Sequence, residues 1–323
     1  MAWITVALVS YFINAGVYTA DKHLLSKQYH SSATYAFYVG IWSIFNLVIL
    51  VFDPWLPTFP QLMLSMSAGL LFLVTLIFWY KALHQSEATR VVPIAGALIP
   101  IFTFLLSYIF LGEELTERQL VAFIVLVAGG VLISVRKTRF YVLKEIKEKI
   151  KGILGDYMGG IHAHYRPTRR LIINSVVAAF FFASYYVLIK YVYTTQPFIG
   201  GFVFSRIGSF LGALLILTVP TWRKLIKKRK KKASQPKNLA FFLGVRLAGA
   251  AAFILLNLAI SMGNVALINS LRGTQYLFLM IIVLFLSTRY PKFLKEQFRG
   301  GVWVQKTVGA TLIGVGLYML LST

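Results

Sequence analysis

Long apolar stretches alternate with short polar ones along the whole chain. Apolar runs lie near 2–20, 33–53, 61–82, 89–111, 118–135, 171–193, 197–219, 239–262, 265–287 and 302–321. Each is close to the roughly 20 residues that an α-helix needs to cross a hydrocarbon core. None alternates with period two, so the pattern predicts helices rather than barrel strands. The expected fold is an all-α integral membrane protein of ten transmembrane helices.

Two connections are long. The first, 136–170, carries Leu143, Ile146, Ile150 and Ile153 at steps of three and four, with Lys144, Glu145, Lys147, Glu148, Lys149 and Lys151 between them. That spacing predicts an amphipathic helix lying on a membrane surface. The second, 220–238, contains the run Lys227-Lys228-Arg229-Lys230-Lys231-Lys232. The chain therefore divides into a first five-helix repeat (1–137), a cytoplasmic linker with an amphipathic helix (138–169) and a second five-helix repeat (170–323).

Composition agrees and narrows the class. Apolar residues make up 58%, charged residues 13%, and the mean hydropathy is +0.73. Soluble domains carry about 25% charged residues, and disorder needs low hydrophobicity, so both are excluded. With no cysteine in the chain, disulfides, thiolate metal sites and cysteine nucleophiles are ruled out. Met1-Ala2-Trp3-Ile4 has no cationic segment before its apolar run, so no cleaved signal peptide is expected.

The balance of 33 Lys and Arg against 10 Asp and Glu gives a net charge of +23. In a soluble protein that suggests nucleic acid. Here the cations cluster between apolar runs, which points to a bilayer with anionic headgroups as partner and to no nucleic acid. The odd-to-even loops hold 28 cations and the opposite set only Arg118 and Lys190. By the positive-inside rule the odd-to-even loops are cytoplasmic and both termini are outside, in an inner or plasma membrane.

The two halves show weak similarity. Ala82-Leu83-His84-Gln85-Ser86-Glu87-Ala88 stands beside Ala259-Ile260-Ser261-Met262-Gly263-Asn264-Val265, and farther on Gln119 pairs with Gln305 and Gly130 with Gly316. Five spans per repeat place the halves in opposite orientations, and inverted repeats of this kind are a transporter signature.

The segment Tyr80-Lys81-Ala82-Leu83, then Ala88, Pro93, Pro100, Leu111-Gly112-Glu113-Glu114-Leu115-Thr116 and Gly129-Gly130-Val131-Leu132-Ile133 resembles the drug/metabolite transporter superfamily, EamA type. The resemblance is clear in sequence over about 75–135 and covers the whole chain in architecture. It implies a ten-helix bundle with a central cavity lined by spans 1, 3, 4, 6, 8 and 9, alternating access, and a small metabolite as substrate.

Charge inside a bilayer costs roughly 2.5–3.5 kcal/mol on insertion scales, so embedded ionisable residues are functional candidates. No carboxylate lies mid-span; Asp21, Asp53, Glu113 and Glu114 sit at span ends and Glu87 in a loop. This disfavours a cationic substrate exchanged for protons at a buried acid. Arg206, Arg246 and Arg272 fall inside spans. Around Arg272, the residues Asn264, Asn269, Ser270, Gln275 and Tyr276 are polar, and the spacing puts Asn264, Arg272 and Gln275 near one helix face. A guanidinium there offers a planar donor to a carboxylate or phosphate.

Tyr11, Asn14 and Tyr18 form a polar stripe on span one, continued by Asp21 and Lys22. Trp79 and Tyr80 end span three, Pro93 interrupts span four, Tyr186 lies in span six and Asn257 in span eight. The expected substrate-binding set is Tyr11, Asn14, Tyr18, Trp79, Tyr80, Pro93, Tyr186, Asn257, Asn269, Arg272, Gln275 and Tyr276. Asp21, Lys22, Lys81, Arg90 and Glu113 are the expected ion or gate residues.

His162-Ala163-His164 is too sparse for a metal site, and no phosphate loop or nucleophile elbow appears, so neither cofactor nor enzyme activity is expected. The expected function is secondary transport of a small polar metabolite, anionic or zwitterionic in preference, by a monomer or homodimer. The alternatives are a flippase or exporter of a lipid-linked or amphipathic substrate and, less favoured, a membrane-embedded enzyme.

The orientation has a direct check in this cysteine-free chain. Single cysteines replace Asp156 and Pro60, and intact cells are treated with an impermeant thiol reagent. Labelling at 60 and protection at 156 is the expected result; labelling at 156 contradicts the orientation.

Overall fold

The computed structural model describes residues 2–24, 32–85, 88–134, 169–227, 239–289 and 301–322. Every regular element among them is helical. In chain order these are α1 (Ala2–Leu24), α2 (Ser32–Trp42) continued by a 3₁₀ segment (Ser43–Phe52), α3 (Phe59–Gln85), α4 (Ala88–Leu111) and α5 (Glu117–Ser134). The second half follows with α6 (Arg169–Thr195), α7 (Phe198–Ile216), the short α8 (Pro220–Lys227), α9 (Leu239–Met262), α10 (Val265–Ser270), α11 (Arg272–Arg289) and α12 (Gly301–Leu321).

Each apolar run in the sequence has become a helix, because only a helix or a closed barrel satisfies its own backbone in lipid. Among the described residues, nine spans are long and apolar enough to cross a membrane, α10 and α11 together counting as one. The apolar segment Ala36–Phe52 is shorter. The chain is an all-α, multi-pass integral membrane protein. The amphipathic helix expected near 143–153, the basic run at 228–232 and both histidines at 162 and 164 lie outside the described residues.

Two spans depart from a continuous α-helix. Span two tightens into 3₁₀ geometry from Ser43, whose hydroxyl donates to the Gly40 carbonyl and to the Arg206 carbonyl of α7. Span nine is interrupted at Leu271. There the Thr274 amide bonds the Leu271 carbonyl at 2.9 Å, an i−3 contact of the 3₁₀ kind. Mid-helix changes of this sort mark hinges and functional positions more often than ordinary packing.

The helices pair in a set pattern. α1 packs on α9 and α11, and α6 packs on α3 and α4. α7 lies along α2, its 3₁₀ continuation and α3, while α5 lies along α12 and α10 against α4. The buried core runs through Tyr11 of α1, Phe72 of α3, Ile99 of α4, Tyr185 and Tyr186 of α6, and Ile260 to Leu271 of α9 and α10. Beside the break, Gly273 meets Gly130 of α5 so closely that a side-chain carbon on Gly130 would stand 2.9 Å from the Gly273 backbone. This contact seats the start of α11, and with it Arg272, against α5.

Candidate functional site

Arg272 is the first residue after the break, and its guanidinium points into a group of neutral polar side chains. One Nη2 donates to the Tyr186 hydroxyl of α6 at 2.8 Å and reaches the Asn269 Oδ1 of α10 at 3.4 Å. Its carbon lies 5.6 Å from the centre of the Tyr186 ring. Tyr11 of α1 and Tyr276 of α11 are close enough to interact electrostatically with the same cation. The Arg272 Nε is buried and, among the described residues, has no hydrogen-bond partner. Among the described residues the groups around this charge are hydroxyls, an amide and a ring face, with no carboxylate.

The local sequence explains why the cation can be held there. Asn264 caps α10, accepting from the amides of Ala266 and Leu267 at 2.9 and 3.1 Å. Tyr11 donates to the Ile268 carbonyl at 2.9 Å, so α1 braces α10 near its C-terminal end. Asn269 holds itself in place by donating to the Val265 carbonyl at 3.0 Å, which turns its carbonyl oxygen to Arg272. Tyr186 stacks on Phe182 with centres 6.0 Å apart, and Phe182 meets the edge of Trp79 at 5.6 Å. The Tyr276 hydroxyl lies against Gly96, between Pro93 and Pro100 of α4, at 2.9 Å from where a Gly96 side chain would begin.

Of the expected binding residues, the structure brings together Tyr11, Tyr186, Asn269, Arg272 and Tyr276, with Trp79 one aromatic layer away. Tyr18 is half exposed on α1. Asn14, Gln275 and Tyr80 are half-buried on α1, α11 and α3. Lys81 is exposed at the end of α3. The side chains of Asp21, Lys22, Arg90 and Pro93 lie outside the described residues. The shared face expected for Asn264, Arg272 and Gln275 is not formed: the break separates Asn264 from the other two, and its side chain is spent on the cap.

Asn257 belongs to a second cluster. Its Oδ1 accepts from the hydroxyls of Tyr193 at 3.0 Å and Tyr185 at 3.3 Å. Tyr185 in turn accepts from Nη2 of Arg206 at 3.1 Å. The Arg206 guanidinium sits 4.5 Å from the Phe72 ring, 4.9 Å from Phe253 and 5.5 Å from Phe202. Arg206 was legible as an embedded cation, but its companions come from α3, α6 and α9 and read in sequence as ordinary core aromatics.

A third cluster lies where α4 ends. Gly112 has φ of 63°, the left-handed conformation that terminates a helix, and this turn sends Glu113 toward α10. Glu113 Oε2 accepts from the Val265 amide at 3.2 Å, and Oε1 lies 3.9 Å from Lys190 Nζ. Burial raises the Glu113 carboxyl above its ordinary value, opposed by the Val265 amide and by Lys190. The Leu-Gly-Glu motif thus has a stated geometry: glycine for the turn, glutamate for the far helix.

Residues 1–135 match the EamA-like transporter family. The stretch 1–135 is therefore similar to that family, over somewhat less than half of the chain. A solved structure described only as that of a protein aligns with a TM-score of 0.64 over 99% of this chain and 96% of its own, at 13% identity. That likeness is one of fold, and it spans both halves of the chain. No curated protein matches.

Tyr11 offers a test of the brace. Replacing it with Phe leaves the buried Ile268 carbonyl without this donor, at a cost of about 1–3 kcal/mol. A lower unfolding temperature in detergent is expected, whereas Tyr318→Phe, at an exposed position, leaves it unchanged.

Proposed function

We propose that the protein is a secondary transporter of a small polar metabolite bearing a carboxylate or phosphate, bound at Arg272. The observation that carries this is the unpartnered buried Nε of Arg272 in a group that supplies no counter-charge. An embedded guanidinium without a carboxylate is costly. An anionic substrate completes its hydrogen bonding and neutralises it at once, and a planar fork suits both carboxylate and phosphate. Tyr11, Tyr186, Tyr276 and Asn269 set the orientation of the ligand, each contributing a neutral donor or acceptor.

The pairing of helices supports an inverted repeat and alternating access. If α1 corresponds to α6, α2 to α7, α3 to α9, α4 to the α10–α11 pair and α5 to α12, then α1 on α9 mirrors α6 on α3. The packing of α1 on α11 likewise mirrors α6 on α4. The contacts of α2 with α7, α4 with α10 and α5 with α12 map onto themselves. Two halves related in this way place the site at their interface, where the broken span presents its polar groups. The sidedness read from the cations and the monomeric or dimeric state belong to the same proposal.

The test is thermal stability of the purified protein against amino acids, organic acids, sugar phosphates, nucleotide sugars and cationic dyes. An anion at 100 times its dissociation constant is expected to stabilise by about 2.7 kcal/mol, and Arg272→Gln to lose that gain while remaining folded. Stabilisation by cations alone, or an anion effect that survives Arg272→Gln, contradicts the proposal. Silence across the panel shifts weight to a lipid-linked substrate.

A further inference from the structure

Helix α10 is held at both ends. Its C-terminal end meets Tyr11 and Arg272, the site just described. Its N-terminal end meets a charged pair that anion binding does not use. Glu113 accepts the Val265 amide with one carboxylate oxygen, at 3.2 Å, and faces Lys190 with the other, at 3.9 Å. Lys190 also donates to the carbonyls of Ser261 at 3.3 Å and Gly263 at 2.8 Å. One carboxylate and one ammonium therefore join three segments: the link from α4 to α5, the end of α6, and the turn from α9 into α10.

Both side chains are withdrawn from water, with exposures of 12% for Lys190 and 17% for Glu113. The ion pair is at the long limit of contact, so the firm hold on Glu113 is the Val265 amide. Lys190 has two carbonyl partners that do not depend on Glu113, so it keeps its place when the carboxyl is neutral. Among the described residues the charged group facing Glu113 is Lys190 of α6. From α10 comes the Val265 amide, and from the α9–α10 turn come only backbone groups. Trp3 of α1 covers Gly263 with an uncharged ring. On its own segment Glu114 is exposed, as are Glu117 and Arg118 at the start of α5.

We infer that Glu113 is a proton-binding latch on α10, with the proton as the coupling ion. A proton from the aqueous phase on that side of the membrane binds a Glu113 oxygen and cancels the attraction to Lys190. The acceptor left for the Val265 amide is then a neutral carbonyl, which binds more weakly than a carboxylate. The turn and α10 are freed to move, and the Asn269 and Arg272 groups move with them. The inference rests on the anion reading only for what this motion serves; the latch itself is defined by Glu113, Lys190 and Val265.

The sign follows from the surroundings. Burial favours the neutral carboxyl, so the latch opens as pH falls through a midpoint above the ordinary carboxylate range. Lys190 opposes protonation, so removing its charge moves the midpoint to still higher pH.

The test uses an Ala266→Cys variant of the full chain, which has no other thiol. Ala266 is fully buried at the start of α10. Its rate of labelling by a maleimide is measured from acid to alkaline pH and divided by the rate of the denatured protein at the same pH. A rise of at least tenfold on acidification is expected. Adding Glu113→Gln should make labelling fast at every pH, and adding Lys190→Gln should shift the midpoint upward. A flat profile in the Glu113 protein, an unchanged profile in Glu113→Gln, or an unmoved midpoint in Lys190→Gln overturns the latch. The profile is recorded with no anion present, so failure of the latch and failure of the anion reading register separately.

Discussion

A guanidinium held inside a membrane protein without a carboxylate beside it is the constraint on which this structure turns. The cost of the charge must be met by neutral donors, acceptors and aromatic faces gathered from several helices. The chain does this twice. Arg206 is enclosed by Phe72, Phe202 and Phe253 and bonded to Tyr185. Arg272 is bonded to Tyr186, the next residue along α6. The two adjacent tyrosines make α6 the element that ties both charges to the core. The two arginines differ in their surroundings: Arg206 is packed under ring faces, whereas among the described residues Arg272 keeps a buried nitrogen unpartnered.

The interrupted ninth span is what makes the second arrangement available. A continuous helix would carry Arg272 on a fixed face with its backbone closed. The break at Leu271 separates a six-residue helix, capped by Asn264 and clamped by Glu113 and Tyr11, from a longer one seated on α5 through Gly130 and Gly273. The proposed substrate contacts and the proposed proton-sensitive contact then lie at opposite ends of one six-residue helix. In the proposed mechanism, motion of that helix links the two without a long relay.

The fold was legible because lipid leaves the backbone few choices, so apolar length alone marks the helices. Tyr11, Asn269, Arg272 and Tyr276 were legible because embedded polarity is rare enough to stand out. Asn264 was misplaced because face arithmetic assumes an unbroken helix, and Gly273 is the one residue in Val265–Thr274 that weakens a helix near Leu271. Asn257, expected among the binding residues, bonds Tyr185 and Tyr193 of another helix, and spacing within one span carries no information about them. Glu113 was visible as a helix-end acid; its reach across to Val265 depends on the turn at Gly112 and on how two distant links meet.

The most direct measurement of the central claim is a binding cycle. The affinity of an anion identified by stabilisation is compared with that of its neutral amide or ester analogue, in the natural protein and in Arg272→Gln. If Arg272 pairs with the ligand charge, the natural protein prefers the anion by an amount worth about 1.5–3 kcal/mol, and the preference disappears in the variant. Equal discrimination by both proteins would contradict it, because the charge would then be read somewhere else.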